Sequence, residues 1–133
     1  MKNGLKNKIL NKAFNIAKNH PHKDRLQSLH AAIIYRGGSI LSIGINKPKR
    51  NRYVDLHAHH PDCNMHAEID AILKIRKKIN LKGAKIMVAR AKKDDMLPGN
   101  SKPCIMCSSI IKNHGIKRVY YTISIEEFGS YLV

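Results

Sequence analysis

The chain has 133 residues, the length of one ordinary domain, and its 43% hydrophobic and 26% charged residues indicate a globular protein. No apolar run approaches the roughly 20 residues that a membrane-spanning helix needs. The charged N-terminus is not followed by the apolar stretch of a secretory signal. We therefore expect a single intracellular domain over residues 1–133 that does not enter a membrane.

The chain is strongly basic, with 25 Lys and Arg against 9 acids and a formal net charge of +16. Residues 1–53 hold 12 of the basic residues and one acid, Asp24. A charge of this size attracts polyanions, so a nucleic acid or a nucleotide is the expected partner. A codon bias toward lysine is the alternative explanation, although such a bias would also enrich the acids.

Hydrophobic periodicity divides the chain into helices and strands. Apolar residues of 5–18 fall on one helical stripe, and Pro21 stops the helix. A hairpin followed by strands that alternate with helices predicts an α/β fold, a three-layer α/β/α sandwich with a mixed sheet. The predicted order is helix 5–18, hairpin strands 31–35 and 40–45, polar loop 46–64, helix 66–79, strand 85–90, polar loop 92–102, a helix between Pro103 and Gly115, strand 116–123 and a short helix from about residue 125.

Two short motifs carry the chemistry. His66-Ala67-Glu68 opens one predicted helix, and Pro103-Cys104-Ile105-Met106-Cys107 opens another. Imidazole and thiolate are preferred zinc ligands, and a catalytic site uses three protein ligands with a fourth position for water. Cys104 and Cys107 are three residues apart, so both sulfurs face one side of the helix, and the first helical turn favours thiolate. Glu68 lies two residues beyond His66, close enough to serve as a proton carrier.

Other interpretations of the cysteines stay open at this point. Cys104-x-x-Cys107 also fits a redox pair or two core cysteines, but neither explains His66 and Glu68. A structural zinc site would need a fourth protein ligand, which Cys63 or a nearby histidine could supply.

Taken together, the two motifs resemble those of the zinc-dependent cytidine and deoxycytidylate deaminase superfamily, whose signature is His-x-Glu followed by Pro-Cys-x-x-Cys. The resemblance runs from about residue 29 to Ile123. His66-Ala67-Glu68-Ile69-Asp70 is similar to the deoxycytidylate and tRNA-adenosine deaminase branches, and the 38-residue gap from His66 to Cys104 is long for either.

The resemblance implies a role for each matching residue. His66, Cys104 and Cys107 would hold one zinc ion per chain, Glu68 would be the catalytic acid and base, and Asn46 and Ala67 would contact the substrate. It also implies a homo-oligomer and the hydrolytic conversion of cytosine to uracil or of adenine to hypoxanthine.

The other histidines are interpreted separately. A second zinc ion in the polar loop 46–64 is the less favoured hypothesis, because the four candidate ligands lack a repeated ligand spacing. These candidates are His57, His59, His60 and Cys63. Four further histidines are expected to be surface or capping residues, namely His20, His22, His30 and His114.

Three functions remain in competition. The first, slightly favoured, is a deaminase of a base within RNA or single-stranded DNA, because a basic cluster follows Asn46. The second is a free-nucleotide dCMP deaminase in which this cluster grips one phosphate. The third is a non-catalytic nucleic-acid-binding or virion-associated protein, which the intact Glu68 argues against. The cluster consists of Lys47, Lys49, Arg50 and Arg52.

Overall fold

The computed structural model describes residues 4–50, 64–75, 79–125 and 127–133. A mixed sheet lies between helix α1 on one face and helices α2 and α3 on the other, which confirms the predicted three-layer α/β/α sandwich. The prediction of one domain over residues 1–133 stays a prediction. The elements are α1 (Gly4–Lys18), a 3₁₀ turn (Lys23–Arg25), β1 (Leu29–Arg36), β2 (Ser39–Ile45), β3 (Lys47–Arg50), β4 (Asn64–Met65), α2 (Ala67–Leu73), β5 (Lys85–Ala91), β6 (Pro98–Gly99), α3 (Ile105–Asn113), β7 (Arg118–Thr122) and β8 (Phe128–Leu132).

The main sheet has the strand order β2-β1-β5-β7-β8, and β6 pairs with the end of β5. Strand β1 is antiparallel to both of its neighbours, whereas β5 and β7 are parallel. A parallel pair needs a crossover connection, and α3 supplies it between β5 and β7. Strands β3 and β4 form a separate two-stranded sheet just before α2.

Alternate residues of the central strands bury opposite faces of the sheet, as a period of two requires. Ile33 and Met87 pack with α1 in one core cluster. Ile34 and Val88 pack with α2 and α3 in the other. Helix α1, with its lysines, therefore belongs to the layer opposite α2 and α3.

Two predicted helices differ from the structure. The short helix expected near Ile125 is wrong, because strand β8 follows there and pairs antiparallel with β7. The helix expected over 66–79 ends at Leu73. Beyond it, the N–H of Lys74 donates to the carbonyl of Asp70 at 3.2 Å, and the N–H of Ile75 donates to that of Ile72 at 3.1 Å. Ile79, counted among its apolar positions, is 39% exposed and lies outside the helix.

The predicted polar loops also contain strands. β3 and β4 lie at the two ends of the expected loop 46–64, and β6 lies within the expected loop 92–102. The candidate ligands of a second zinc ion, His57, His59, His60 and Cys63, lie outside the described residues.

Strand β2 and helix α2 approach each other so closely that one position requires glycine. A Cβ atom at Gly44 would lie 2.3 Å from the backbone nitrogen of Ala71 and 2.4 Å from the carbonyl oxygen of Ala67. Backbone atoms cannot rotate away as side-chain atoms can. The absence of a side chain at Gly44 thus sets the distance between the sheet and α2.

We predict that Gly44→Ala forces α2 away from the sheet and lowers the free energy of unfolding by about 1–3 kcal/mol, the usual cost of overpacking a core. Gly38→Ala is the matched control, because no heavy atom lies within 4 Å of the Cβ it would add. Chemical denaturation of the two variants measures the difference. A Gly44→Ala protein as stable as the wild type would contradict the close approach.

Candidate active site

The first metal-ligand candidate, His66, is the N-cap residue of α2. Its backbone is extended, with φ −79° and ψ 151°, because strand β4 runs directly into the helix. The ring of His66 therefore lies at the N-terminal end of α2, where the sequence motif placed it.

The two cysteines lie at the N-terminal end of α3. Cys104 is the N-cap residue, and its sulfur accepts a hydrogen bond from the N–H of Cys107 at 3.5 Å. The helix thus begins at Ile105, two residues later than Pro103 predicts. Nδ1 of His66 lies 3.8 Å from Sγ of Cys104 and 3.3 Å from Sγ of Cys107.

The donor set and its spacing fit a zinc ion. Tetrahedral zinc with Zn–S bonds of about 2.3 Å and Zn–N bonds of about 2.0–2.1 Å places its ligand atoms roughly 3.5–3.8 Å apart. The three ligand atoms of His66, Cys104 and Cys107 all lie within 4.8 Å of one another. Two thiols and an imidazole at these distances could hold a zinc ion as its three protein ligands.

The two thiols lie close enough to shift each other's pKa, and they do so in opposite directions. The hydrogen bond from the Cys107 thiol lowers the pKa of Cys104 to about 3, and the His66 ring and the Cys107 N–H add to this effect against the opposing effect of burial. The same hydrogen bond, together with burial, raises the pKa of Cys107. Cys104 therefore already favours the thiolate form that metal binding requires.

Glu68 lies in the first turn of α2 and is 5% exposed. Burial raises the pKa of its carboxyl above the usual value, and nearby groups only partly offset this effect. A carboxyl with a raised pKa is better suited to taking up and returning a proton near neutral pH.

A cavity of about 540 Å³ opens beside this cluster, which is within the usual size range of small-molecule sites. Both residues expected to contact substrate, Asn46 and Ala67, lie in its wall. Ala67 is the first residue of α2, and the N–H groups of a first helical turn have no partner inside the helix. The lining residues are Arg25, Leu26, Gln27, Ser28, His30, Asn46, Met65, His66, Ala67, Glu68, Ser101, Lys102 and Cys104.

Asn46 is fixed in the cavity wall by a polar network. Its Oδ1 accepts a hydrogen bond from the N–H of His30 at 2.9 Å, and its Nδ2 donates to the carbonyl of Ser28 at 2.8 Å. Nε2 of His20 donates to the Asn46 carbonyl at 2.8 Å, since Nδ1 of the same ring accepts from the N–H of His22.

The interpretation of His20 and His30 as surface or capping residues is therefore wrong. His20 is 3% exposed, and burial lowers its pKa. Burial, with a smaller effect of Arg90, lowers the pKa of His30 to about 4, so its ring is neutral at physiological pH. His114 does cap a helix, because its Nδ1 bonds the Ile110 carbonyl at the end of α3.

The cations that line the cavity differ from the cluster that the sequence suggested. They are Arg25 and Lys102, which sequence reasoning missed. Lys47 instead forms an ion pair with Asp70 at 2.9 Å, and the side chains of Lys49 and Arg50, like residue Arg52, lie outside what the structure describes.

None of the helices described is both long and apolar enough to cross a bilayer.

Comparison with known proteins places the site in a family. Residues 4–123 match the family model described as the cytidine and deoxycytidylate deaminase zinc-binding region. The chain therefore belongs to the cytidine and deoxycytidylate deaminase family, and zinc is the cofactor of its deaminase domain. No curated protein sequence matches the chain.

Solved structures share the fold. A dCMP deaminase from the cyanophage S-TIM5, in complex with dCMP and dUMP, is 22% identical with a TM-score of 0.63, over 91% of this chain and 82% of that one. A diaminohydroxyphosphoribosylaminopyrimidine deaminase/5-amino-6-(5-phosphoribosylamino)uracil reductase from Thermotoga maritima is also 22% identical, with a TM-score of 0.58. The match covers 91% of this chain but 30% of that longer one. At these identities the likeness shows the fold alone.

We predict about one zinc ion per chain by elemental analysis, as expected for a single three-ligand site. Cys104→Ala and Cys107→Ala should lose most of it and unfold at a lower temperature, because metal binding contributes to folding. Ser109→Ala, at an exposed position on α3 two residues beyond Cys107, is the control and should retain the metal. A metal content near zero in the reconstituted wild type would contradict the site, and a value near two would indicate a second zinc site.

Proposed function

We propose that this protein deaminates the cytosine base of a free nucleotide of the dCMP type, with Glu68 as the catalytic acid and base. The observation that carries the proposal is the composition of one cavity. Its wall contains two of the three candidate metal ligands, His66 and Cys104, and Glu68 together with two cations, Arg25 and Lys102. The third candidate ligand, Cys107, is buried directly behind them, with its sulfur 3.3 Å from Nδ1 of His66. A cavity with such cations suits a ligand that has both a base and a phosphate.

The chain's own residues account for the proton transfers. The carboxylate of Glu68 takes one proton from the attacking water and gives it to N3 of the cytosine ring as the water oxygen bonds to C4. It then takes the remaining proton from the new C4 hydroxyl and passes it to the amino group, which leaves as ammonia while the C4 carbonyl forms. Water and the cytosine nucleotide thereby become ammonia and the uracil nucleotide. His66, Cys104 and Cys107 would hold the zinc ion, which would supply the Lewis acidity that lowers the pKa of the attacking water.

The cavity wall supplies binding and orientation. The Asn46 side chain and the N–H of Ala67 are placed to hold the nucleoside. Arg25 and Lys102 are placed to hold the phosphate, and the charge of such contacts makes them stronger than neutral hydrogen bonds. The S-TIM5 enzyme, a dCMP deaminase solved with dCMP and dUMP, supports this choice of substrate.

A base within RNA or single-stranded DNA is the second candidate substrate, and the net charge of +16 favours it. The described placement of the basic residues supports it less well. Lys8 and Lys12 of α1 line a separate cavity of about 900 Å³, next to Ile40 and Ile45 of β2, and α1 belongs to the layer opposite the zinc ligands.

The test is ammonia release from dCMP, deoxycytidine, AMP and cytosine-containing single strands of RNA and DNA. We expect the highest kcat/KM for dCMP. Arg25→Gln should raise the KM for dCMP about tenfold or more, because bonds to charged groups contribute roughly 1.5–3 kcal/mol. Its KM for deoxycytidine should be unchanged, since that substrate has no phosphate.

Two further variants complete the design. Lys112→Gln removes one charge on α3 outside the cavity and should leave the KM for dCMP unchanged. Glu68→Gln should retain zinc while kcat falls by about 10²–10⁴, the usual contribution of general acid–base catalysis. Preferred turnover of single strands, with affinity falling steeply with salt, would establish the second candidate. A wild type without turnover on any substrate would contradict an enzymatic function.

A further inference from the structure

The Asp70 carboxylate is the most heavily bonded ionised group that the structure describes outside the zinc ligands. It is 4% exposed and lies on α2, half a turn beyond Glu68. Oδ1 accepts from Nζ of Lys47 at 2.9 Å, and Oδ2 accepts from the backbone N–H of Ile45 at 3.0 Å and from Nζ of Lys74 at 3.0 Å. Burial alone would raise the pKa of Asp70, but these bonds together hold it below its usual value.

Two of these partners flank one residue of the cavity wall. Ile45 precedes Asn46 and Lys47 follows it. Asp70 therefore bonds to the residue on each side of Asn46, through the backbone N–H of Ile45 and the side-chain ammonium of Lys47. The Asn46 side chain has its own hydrogen bonds, from the N–H of His30 and to the carbonyl of Ser28. The carboxylate of Asp70 is thus bonded to both residues next to Asn46, and the helix that carries it, α2, also carries Glu68.

We propose that Asp70 is a positioning residue that sets the place of the Asn46 side chain in the substrate cavity by holding the N–H of Ile45 and the ammonium of Lys47. The proposal rests on the proposed function, because it takes this cavity to be the substrate site. Under this proposal Lys47 helps to position Asn46, whereas the sequence suggested that Lys47 contacts the phosphate of the substrate.

The lysines that pair with Asp70 offer a matched comparison. Lys47→Met and Lys74→Met each remove one ammonium from the same carboxylate, but only Lys47 lies next to Asn46. Lys74 is four residues beyond Asp70, at the C-cap of α2, and its Nζ also donates to the Ile43 carbonyl at 3.2 Å. The two variants therefore separate the positioning of Asn46 from the loss of an ion pair in general.

The direct measurement is hydrogen exchange of the His30 amide by NMR, because this N–H donates to Oδ1 of Asn46. Exchange should accelerate about tenfold or more in Asp70→Asn and in Lys47→Met, as expected when a local hydrogen bond is lost, and Lys74→Met should leave it unchanged. Asn46→Ala gives the upper limit. The amide of Ile34, in the middle of β1, serves as the reference for global opening.

Kinetics provide the second measurement. Asp70→Asn and Lys47→Met should raise the KM for dCMP about tenfold with little change in kcat, the pattern for loss of binding alone. The double variant Asp70→Asn/Asn46→Ala should be no worse than Asn46→Ala, because Asp70 acts through Asn46. Additive effects on KM, or unchanged His30 exchange in both Asp70→Asn and Lys47→Met, would overturn the proposal.

The exchange measurement does not depend on turnover. If the wild type deaminates nothing, the proposed function fails, and His30 exchange still decides whether Asp70 positions Asn46. If Asp70→Asn does not fold, Lys47→Met gives the decisive result, since it leaves the buried carboxylate with the N–H of Ile45 and Lys74.

Discussion

The structure depends on the meeting of two helix N-termini. His66 at the start of α2 and the two cysteines at the start of α3 come from segments 38 residues apart, yet their ligand atoms lie within 4.8 Å. This distance requires both helices to pack on the same face of the sheet with a fixed separation. Gly44 permits the close approach of α2 to β2, and α3 is the crossover between the parallel strands β5 and β7. A small displacement of either helix would move the ligand atoms apart. It would thereby weaken metal binding, because zinc tolerates only small changes in bond length.

The basic residues of the chain have different roles in different parts of the structure. Lys47 and Lys74 neutralise one buried carboxylate and stabilise the structure around the cavity, whereas Arg25 and Lys102 line the cavity itself. The lysines of α1 belong to the opposite layer; Nζ of Lys6, for example, lies over the rings of Tyr120 and Phe128. Net charge therefore predicts attraction to anions in general, but the site of binding depends on which cations are left without an internal carboxylate.

The features predicted best from the sequence are those that depend on residues close together in the chain. The three candidate metal ligands, which the structure brings together, follow from two local motifs, and β1, β2 and β5 follow from apolar periodicity. The final strand β8 was missed because its pairing with β7, rather than its own apolar pattern, fixes its conformation. The task of Lys47 depends on Asp70, 23 residues away, and that of His20 depends on Asn46, 26 residues away. Such partners become visible only when the chain is folded. His30 could have been placed, since a period of two from Ile34 and Ala32 puts it on the face of α2 and α3.

The central claim is that His66, Cys104 and Cys107 bind one zinc ion and leave one position for water. X-ray absorption at the zinc edge of the purified protein tests this most directly. The account predicts two sulfur ligands at about 2.3 Å and two nitrogen or oxygen ligands at about 2.0–2.1 Å, with one sulfur lost in Cys104→Ala. A spectrum that requires three sulfur ligands would place Cys63 on the metal and make the site structural, and a spectrum without sulfur ligands would contradict the site altogether.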